Sequence, residues 1–172
     1  MPISVKAIAN EFLSIAEERG DETLSPMKLQ KLLYFADGWM LALKDKPLFP
    51  ERIYAWQYGP VIPAIYHEFK RYGKDPIRDD ATEVVLENGR LEIATPTIER
   101  ADASEAEKKF AKELVRRIWD VYGGYTAIRL SNSTHQPGTP WCQVHEEGSN
   151  NNTVIPDNVM RDYFKQFLSN AA

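Results

Sequence analysis

The 172-residue sequence has little cysteine and no long hydrophobic run. Its only cysteine, Cys142, cannot form an intrachain disulfide, so nothing indicates an oxidising compartment. A membrane-spanning helix needs about 20 consecutive apolar residues, and no segment approaches that length. The N-terminus, MPISVKAIANEF, lacks the charged start, apolar stretch and cleavage site of a signal peptide. We therefore expect a cytoplasmic protein with no membrane partner.

An excess of basic charge is also missing. The formal net charge is −4, so no overall positive field would attract nucleic acid. The best basic stripe lies at residues 108–117, where the cations fall opposite the apolar side of a predicted helix, as on any solvated helix. Nucleic acid is therefore not an expected partner.

Catalytic motifs are absent too. The sequence contains no GxxxxGK[ST] or GxGxxG phosphate-binding pattern, no HExxH and no GxSxG. Its paired acidic residues are sequence neighbours, whose side chains diverge on a helix and are typical of a solvated surface. The sequence therefore predicts a protein that is not an enzyme, with no catalytic residues and no cofactor.

The segment around Cys142 offers one alternative, a metal site or a thiol–histidine pair. Cys142 lies between His135 and His145, but three ligands at irregular spacing fall short of the four that a structural zinc site needs. No nucleophile motif flanks the cysteine. We therefore predict no metal site and interpret Cys142 as a small buried thiol beside two ordinary histidines.

Helical periodicity covers most of the chain. Apolar residues recur at helical spacing in segments 4–19, 25–43, 63–72, 104–122, 125–133 and 157–168, with a further turn or two near 141–147. Ser104 and Glu107 form a capping box. Gly38 lies inside the second helix and predicts close approach by another element. The length suits one domain, which we expect to comprise residues 1–172.

The strongest β signal is TEVVLENGRLEIAT, residues 82–95. Asn88-Gly89 favours a two-residue type I′ turn, because both positions need positive φ. The resulting cross-strand pairs are Leu86 with Leu91, Val84 with Ile93, and Glu87 with Arg90. Residues 53–58 alternate with an aromatic face and predict a short strand that Gly59-Pro60 ends. The fold class is α+β, mainly α, with about six or seven helices and a small antiparallel sheet that includes the hairpin.

The stretch LSPMKLQKLLYFADGW places polar side chains among the leucines of a buried helix. Two interpretations are open. In one, Lys28 and Lys31 are solvated at the edge of the apolar stripe, while Gln30 and Tyr34 make local hydrogen bonds. In the other, the polar side of this helix meets the aromatic strand and the loop at 134–141, and together they form a docking surface.

Aromatic residues are concentrated after this helix, with six of them in the 19 residues from 54 to 72. They are Tyr54, Trp56, Tyr58, Tyr66, Phe69 and Tyr72. A core can absorb several, and Tyr66 is among those expected to face inward. Tyrosine and tryptophan also anchor protein–protein contacts, because they offer a large area at low entropic cost. Any that are exposed would mark an interface.

Taken together, these motifs resemble the Panacea antitoxin domain family, which includes the SocA-like and phage-associated proteins. The resemblance rests on LQKLLY at 29–34, PLF at 47–49, AW at 55–56, GPVIPAIY at 59–66 and LSNSTHQPGTPW at 130–141. These segments span nearly the whole chain in the family's order.

The resemblance implies a bacterial or phage antitoxin that neutralises a cognate protein toxin, encoded by the neighbouring gene, through direct contact. Two alternatives follow from it: an adaptor that delivers the toxin to a protease, or an orphan interaction protein of a phage or mobile element. Self-association stays open. The partner-binding candidates are Lys28, Lys31, Tyr34, Trp56, Tyr58, His135 and Trp141. We expect the motif block mainly to build the fold, with toxin-specific contacts on other surfaces.

Overall fold

The computed structural model describes residues 3–145 and 152–168. Within these residues the chain forms seven α-helices and two antiparallel sheets of two strands each, which confirms the mainly helical α+β class. The helices are α1 Val5–Glu18, α2 Pro26–Lys44, α3 Pro63–Phe69, α4 Glu105–Tyr122, α5 Ala127–Thr134, α6 Pro140–Val144 and α7 Asp157–Leu168. The strands are β1 Tyr54–Trp56, β2 Gly59–Val61, β3 Glu83–Glu87 and β4 Arg90–Ala94, and a 3-10 helix follows α3 at Lys70–Tyr72.

Hydroxyl side chains set the starts of several helices. Ser25 caps α2, with Pro26 in the first turn, where its missing N–H leaves no helical bond unmade. The capping box of Ser104 and Glu107 is confirmed at the start of α4, with both reciprocal hydrogen bonds present. Thr126 caps α5 in the same way. Local sequence therefore fixes these boundaries.

Helix α2 lies at the centre of the core, and 14 of its 19 residues are buried. It packs against α1, α4, α5 and α7. The close approach predicted at Gly38 is confirmed, because the ring of Phe164 in α7 occupies the space a β-carbon would need. Leu43, the last residue of the apolar pattern predicted at 25–43, is exposed and not buried. Within the described residues, no helix is both long and apolar enough to span a bilayer.

The first hairpin joins β1 to β2. The prediction that Gly59-Pro60 ends the strand is wrong, because these residues begin the return strand, with Trp56 opposite Gly59 and Ala55 opposite Pro60. Gly59 directly follows the two-residue turn at 57–58 and has a φ of 118°, a conformation that favours glycine. The other edge of β1 bonds to the segment before α7, through the Ala55 N–H and the Thr153 carbonyl (2.8 Å).

The second hairpin, β3–β4, has the predicted register at every pair. Asn88 and Gly89 have φ values of 51° and 76°, as a type I′ turn requires. The two hairpins form separate sheets within the described residues.

Candidate partner-binding surface

The two lysines of α2 are buried, each with 2% of its surface exposed. Lys28 Nζ donates to the carbonyl of Gly123 after α4 (2.5 Å) and to Thr23 Oγ1 (2.8 Å). Lys31 Nζ donates to the carbonyl of Pro60 in β2 (3.0 Å). The interpretation in which both lysines are solvated is therefore wrong. Each one instead ties α2 to a distant piece of backbone.

Burial changes the protonation of these lysines. It lowers the pKa of Lys31 to about 8, because the ammonium group loses hydration. Burial also lowers the pKa of Lys28, and nearby Asp21 partly opposes this effect. Among the described residues, Lys31 forms no ion pair with a carboxylate. A charged Lys31 is thus costly to bury and depends on the Pro60 carbonyl.

Two further polar side chains of α2 also form hydrogen bonds with distant backbone groups. The Gln30 amide donates to the Ile62 carbonyl (3.1 Å) and accepts from the Ile62 N–H (2.9 Å). The Asp37 carboxylate accepts from the Leu48 N–H (2.9 Å), and burial raises its pKa to about 7. The polar side of α2 is therefore a set of internal anchors for the segments that follow it.

Tyr34 is also buried, in an aromatic group with Phe35 and Phe164, whose ring centroids lie 5.2 and 5.7 Å away. Its hydroxyl has no hydrogen-bond partner among the described residues. Of the predicted partner-binding residues, Lys28, Lys31 and Tyr34 are thus placed in the interior. They can act on a partner only through the surface residues that they support.

The other four predicted residues come together at the first hairpin. Trp141 Nε1 of α6 donates to the Trp56 carbonyl (2.6 Å). Ser131 Oγ of α5 donates to the carbonyl of Tyr58 (3.4 Å). Helices α5 and α6 therefore hold the strand and turn that carry the aromatic side chains.

A cluster of three rings supports this arrangement, with His145 stacked on Trp141 and His135 tilted against it. The ring centroid of Trp141 lies 4.2 Å from that of His135 and 4.3 Å from that of His145. A carbonyl can only accept, so the Nδ1–H of His135 donates to the Ser131 carbonyl (2.6 Å) and that of His145 to the Ala55 carbonyl (3.2 Å). These bonds fix the orientation of both imidazoles.

Gly59 marks the point where the three segments meet. A β-carbon there would lie 2.8 Å from Lys31 Nζ and 3.1 Å from His135 Cε1. The polar side of α2, the hairpin and the loop after α5 therefore do converge, as the second interpretation of the α2 lysines anticipated. Only a residue without a side chain fits between the lysine and the histidine.

The outer side of this region is aromatic. Tyr58 is 72% exposed, and Tyr66 of α3 is also exposed, with its ring 5.1 Å from the half-buried Trp56. We call Trp56, Tyr58, Tyr66, His135 and Trp141 the aromatic surface. The expectation that Tyr66 faces inward is wrong. The sequence contained a signal of its exposure. Tyr66 comes directly after Ile65, which forms the buried side of α3 with Phe69, and adjacent residues of a helix point in different directions.

Cys142 is exposed rather than buried, which corrects the sequence interpretation. It sits in the first turn of α6, where its N–H donates to Thr139 Oγ1 (3.3 Å). In the part of the chain that the structure describes, no three or more histidine, cysteine or acidic side chains are grouped to hold a metal ion.

Comparison with known proteins identifies the family. Residues 29–142 match the family described as "Antitoxin SocA-like, Panacea domain". The chain is also 30% identical to the protein named Antitoxin SocA from Caulobacter vibrioides (strain NA1000 / CB15N) over 166 residues, which cover 95% of this chain and 83% of the relative. No solved structure matches the chain. The family match includes three of the α2 anchors (Gln30, Lys31 and Asp37), the first hairpin and the loop before α6, and the chain belongs to the SocA-like Panacea antitoxin family.

Proposed function

We propose that this protein is an antitoxin that neutralises a cognate protein toxin by binding it directly, without catalysis, in the cytoplasm. The observation that carries the proposal is similarity to Antitoxin SocA along 95% of the chain. We take residues 1–172 as one domain and the toxin as the product of the adjacent reading frame. An aromatic surface held by internal anchors suits tight protein binding, because its groups are ordered before the partner arrives.

The aromatic surface is the proposed contact region. Tyr58 and Tyr66 offer exposed rings, and Trp56 and Trp141 lie at half-buried positions, where contacts exclude water most readily. His135 is half-buried beside Trp141, and the Ser131 carbonyl holds its ring in place. Lys31 lies beneath and holds β2 in place. Loss of an exposed ring should therefore weaken binding without unfolding the chain.

Co-expression tests this proposal. The chain is expressed with the protein encoded by the adjacent reading frame, and growth and co-purification are measured for the wild type, Tyr58→Ala and Tyr125→Ala. Tyr125 is the matched control, since it is an exposed tyrosine just before α5 and is not part of the aromatic surface. We expect the wild type and the control to restore growth and co-purify. Tyr58→Ala should weaken binding by about 1–2 kcal/mol.

Two outcomes would count against the proposal. If the wild type neither restores growth nor co-purifies, the antitoxin role is refuted. If rescue by the wild type disappears in a host lacking its cytoplasmic ATP-dependent proteases, and the half-life of the partner lengthens there, the chain is an adaptor for degradation. Rescue that persists in that host supports neutralisation by binding.

A further inference from the structure

The β3–β4 hairpin carries an apolar face that the rest of the chain does not cover. Four side chains on that face, Val84, Leu86, Leu91 and Ile93, are between 68% and 77% exposed. They form two directly opposed pairs, so they make one continuous patch. Isolated exposed apolar residues are ordinary, but a contiguous group of four is typical of a binding surface.

The orientation of the hairpin is the reverse of the usual one. A sheet with one face in water normally turns its polar side outward. Here the partly covered positions are Glu83, Val85 and Ala94, whereas the apolar face is in solvent. Contact with the body of the protein therefore does not explain why those four positions are apolar.

The base of the hairpin is firmly anchored although its face is free. The buried Asn10 of α1 accepts from the Ala81 N–H (2.7 Å), and its Nδ2 donates to the carbonyls of Ala81 (3.0 Å) and Pro96 (2.9 Å). One side chain thus fixes the chain on both sides of the hairpin. Lys6 Nζ also donates to the Thr82 carbonyl (2.8 Å). We call residues 83–94, held in this way, the arm.

Both edges of the arm are open for pairing. With a two-residue turn, Glu87 and Arg90 exchange hydrogen bonds, so the backbone N–H and C=O groups of Leu86 and Leu91 point away from each other. No further strand pairs with β3 or β4 in the described residues. A free edge beside an apolar face invites either aggregation or a specific partner.

The charge of the arm discriminates between partners. Residues 83–94 contain three carboxylates and one arginine, a formal charge of −2, and the carboxylates lie on the face opposite the apolar pairs. Two copies paired through the apolar face would leave these carboxylates on the outer sides, without a cationic partner from the other copy. A partner with an apolar groove bordered by lysine and arginine would instead complement both the face and its acidic surroundings.

We propose that the arm is a second contact element of the antitoxin, which inserts its apolar face into a groove of the toxin that is apolar within and basic at its rim. This inference rests on the proposed toxin-binding function and extends it beyond the aromatic surface. The anchored base keeps the arm ordered in the free protein, which reduces the entropic cost of binding.

The test uses the purified protein encoded by the adjacent reading frame as the probe, and the dissociation constant as the readout. Leu86→Thr/Leu91→Thr removes the half of the apolar face nearest the turn and keeps strand propensity. Val121→Thr is the control, because Val121 is an exposed apolar residue of α4 and threonine has nearly the same shape. We expect the double variant to bind roughly 30-fold more weakly or worse, and the control to bind as the wild type does. Thermal unfolding should be similar for all three.

A charge variant gives an independent readout. Glu87→Gln/Glu92→Gln should bind several-fold more weakly at low salt and show a smaller salt dependence than the wild type. Unchanged affinity in the Leu86/Leu91 double variant would overturn the role of the arm and leave the antitoxin proposal standing. A wild-type chain that neither binds the probe nor restores growth would refute the antitoxin proposal itself. A wild-type dimer that the double variant cannot form would show that a second copy covers the arm, which overturns the inference.

Discussion

Lys28, Gln30, Lys31 and Asp37 explain why a buried helix keeps polar side chains. Each one bonds to backbone groups that would otherwise be buried without a partner, in segments between 11 and 95 residues away. An unpaired buried backbone group costs about 1–3 kcal/mol, so these bonds hold the loops around α2 in one arrangement. We expect the identity of these four side chains to matter more for the position of the aromatic surface than for the free energy of unfolding.

Lys31→Met tests this distinction. Methionine fills the same space, removes the buried charge and leaves the Pro60 carbonyl without its donor. The two effects on folding oppose each other, so we expect the free energy of unfolding at pH 7 to change by no more than about 2 kcal/mol. Affinity for the toxin should fall because β2 loses its anchor.

The measurements are denaturant unfolding and a binding titration on the same samples. Lys28→Met is the matched control, since it removes a buried cation at the other end of the anchor set, by α4. Equal affinity of Lys31→Met and the wild type would show that the anchor does not position the aromatic surface.

Asp37 should make stability depend on pH. Its pKa in the folded state is about 7, above its usual value near 3.9, so the folded chain keeps a proton that the unfolded chain has lost. This carboxyl therefore lowers stability progressively as pH rises from about 4 to about 7, by up to about 4 kcal/mol. Asp37→Asn keeps an acceptor for the Leu48 N–H and cannot ionise.

Urea unfolding at pH 5 and pH 8 checks this expectation. The stability of Asp37→Asn relative to the wild type should rise between the two pH values. Parallel pH profiles for the two proteins would mean that the carboxylate is solvated or paired when ionised.

Secondary-structure elements were largely predictable where their signals are local. The capping box at Ser104, the turn at Asn88-Gly89 and the spacing of apolar residues each act over a few positions, and each is confirmed. The wrong predictions arise where a segment distant in the sequence determines the local structure. Lys31 and His135 pack against the start of the return strand at Gly59, and no local pattern shows that Lys31 is buried.

The candidate surface was predictable in part for the same reason. An aromatic-rich segment singled out Trp56 and Tyr58, and the family resemblance added His135 and Trp141. Burial of Tyr34 and of the lysines follows from packing on several sides of α2, which one apolar stripe does not reveal. Exposure of the arm also depends on tertiary structure, since alternation shows which residues share a face but not which face meets water.

Gly38→Ala tests the packing of α2 against α7. An added methyl group would overlap the ring of Phe164, so one helix must shift, at a cost of about 1–3 kcal/mol. Gly124→Ala is the control, because nothing lies within 4 Å of a β-carbon there. Thermal unfolding should show a lower midpoint for Gly38→Ala and little change for Gly124→Ala. Equal midpoints would mean that α2 and α7 can move apart to accept the methyl group without loss of stability.

The molecule as a whole presents two proposed contact regions of different character. The aromatic surface is held by α2, α5 and α6, whereas the acidic arm projects from a base that α1 anchors. Each can be altered without disturbing the core, since its outer side chains are exposed. If a partner contacts both regions, each set of substitutions should weaken binding separately. The losses of binding free energy from Tyr58→Ala and from the Leu86/Leu91 double variant should then add.

Calorimetric titration of the purified chain with the purified product of the adjacent reading frame measures direct binding without protease or host. We expect saturable binding with a submicromolar dissociation constant and a negative heat-capacity change from burial of the apolar arm and aromatic rings. Absence of a binding signal, with both proteins folded, would contradict it.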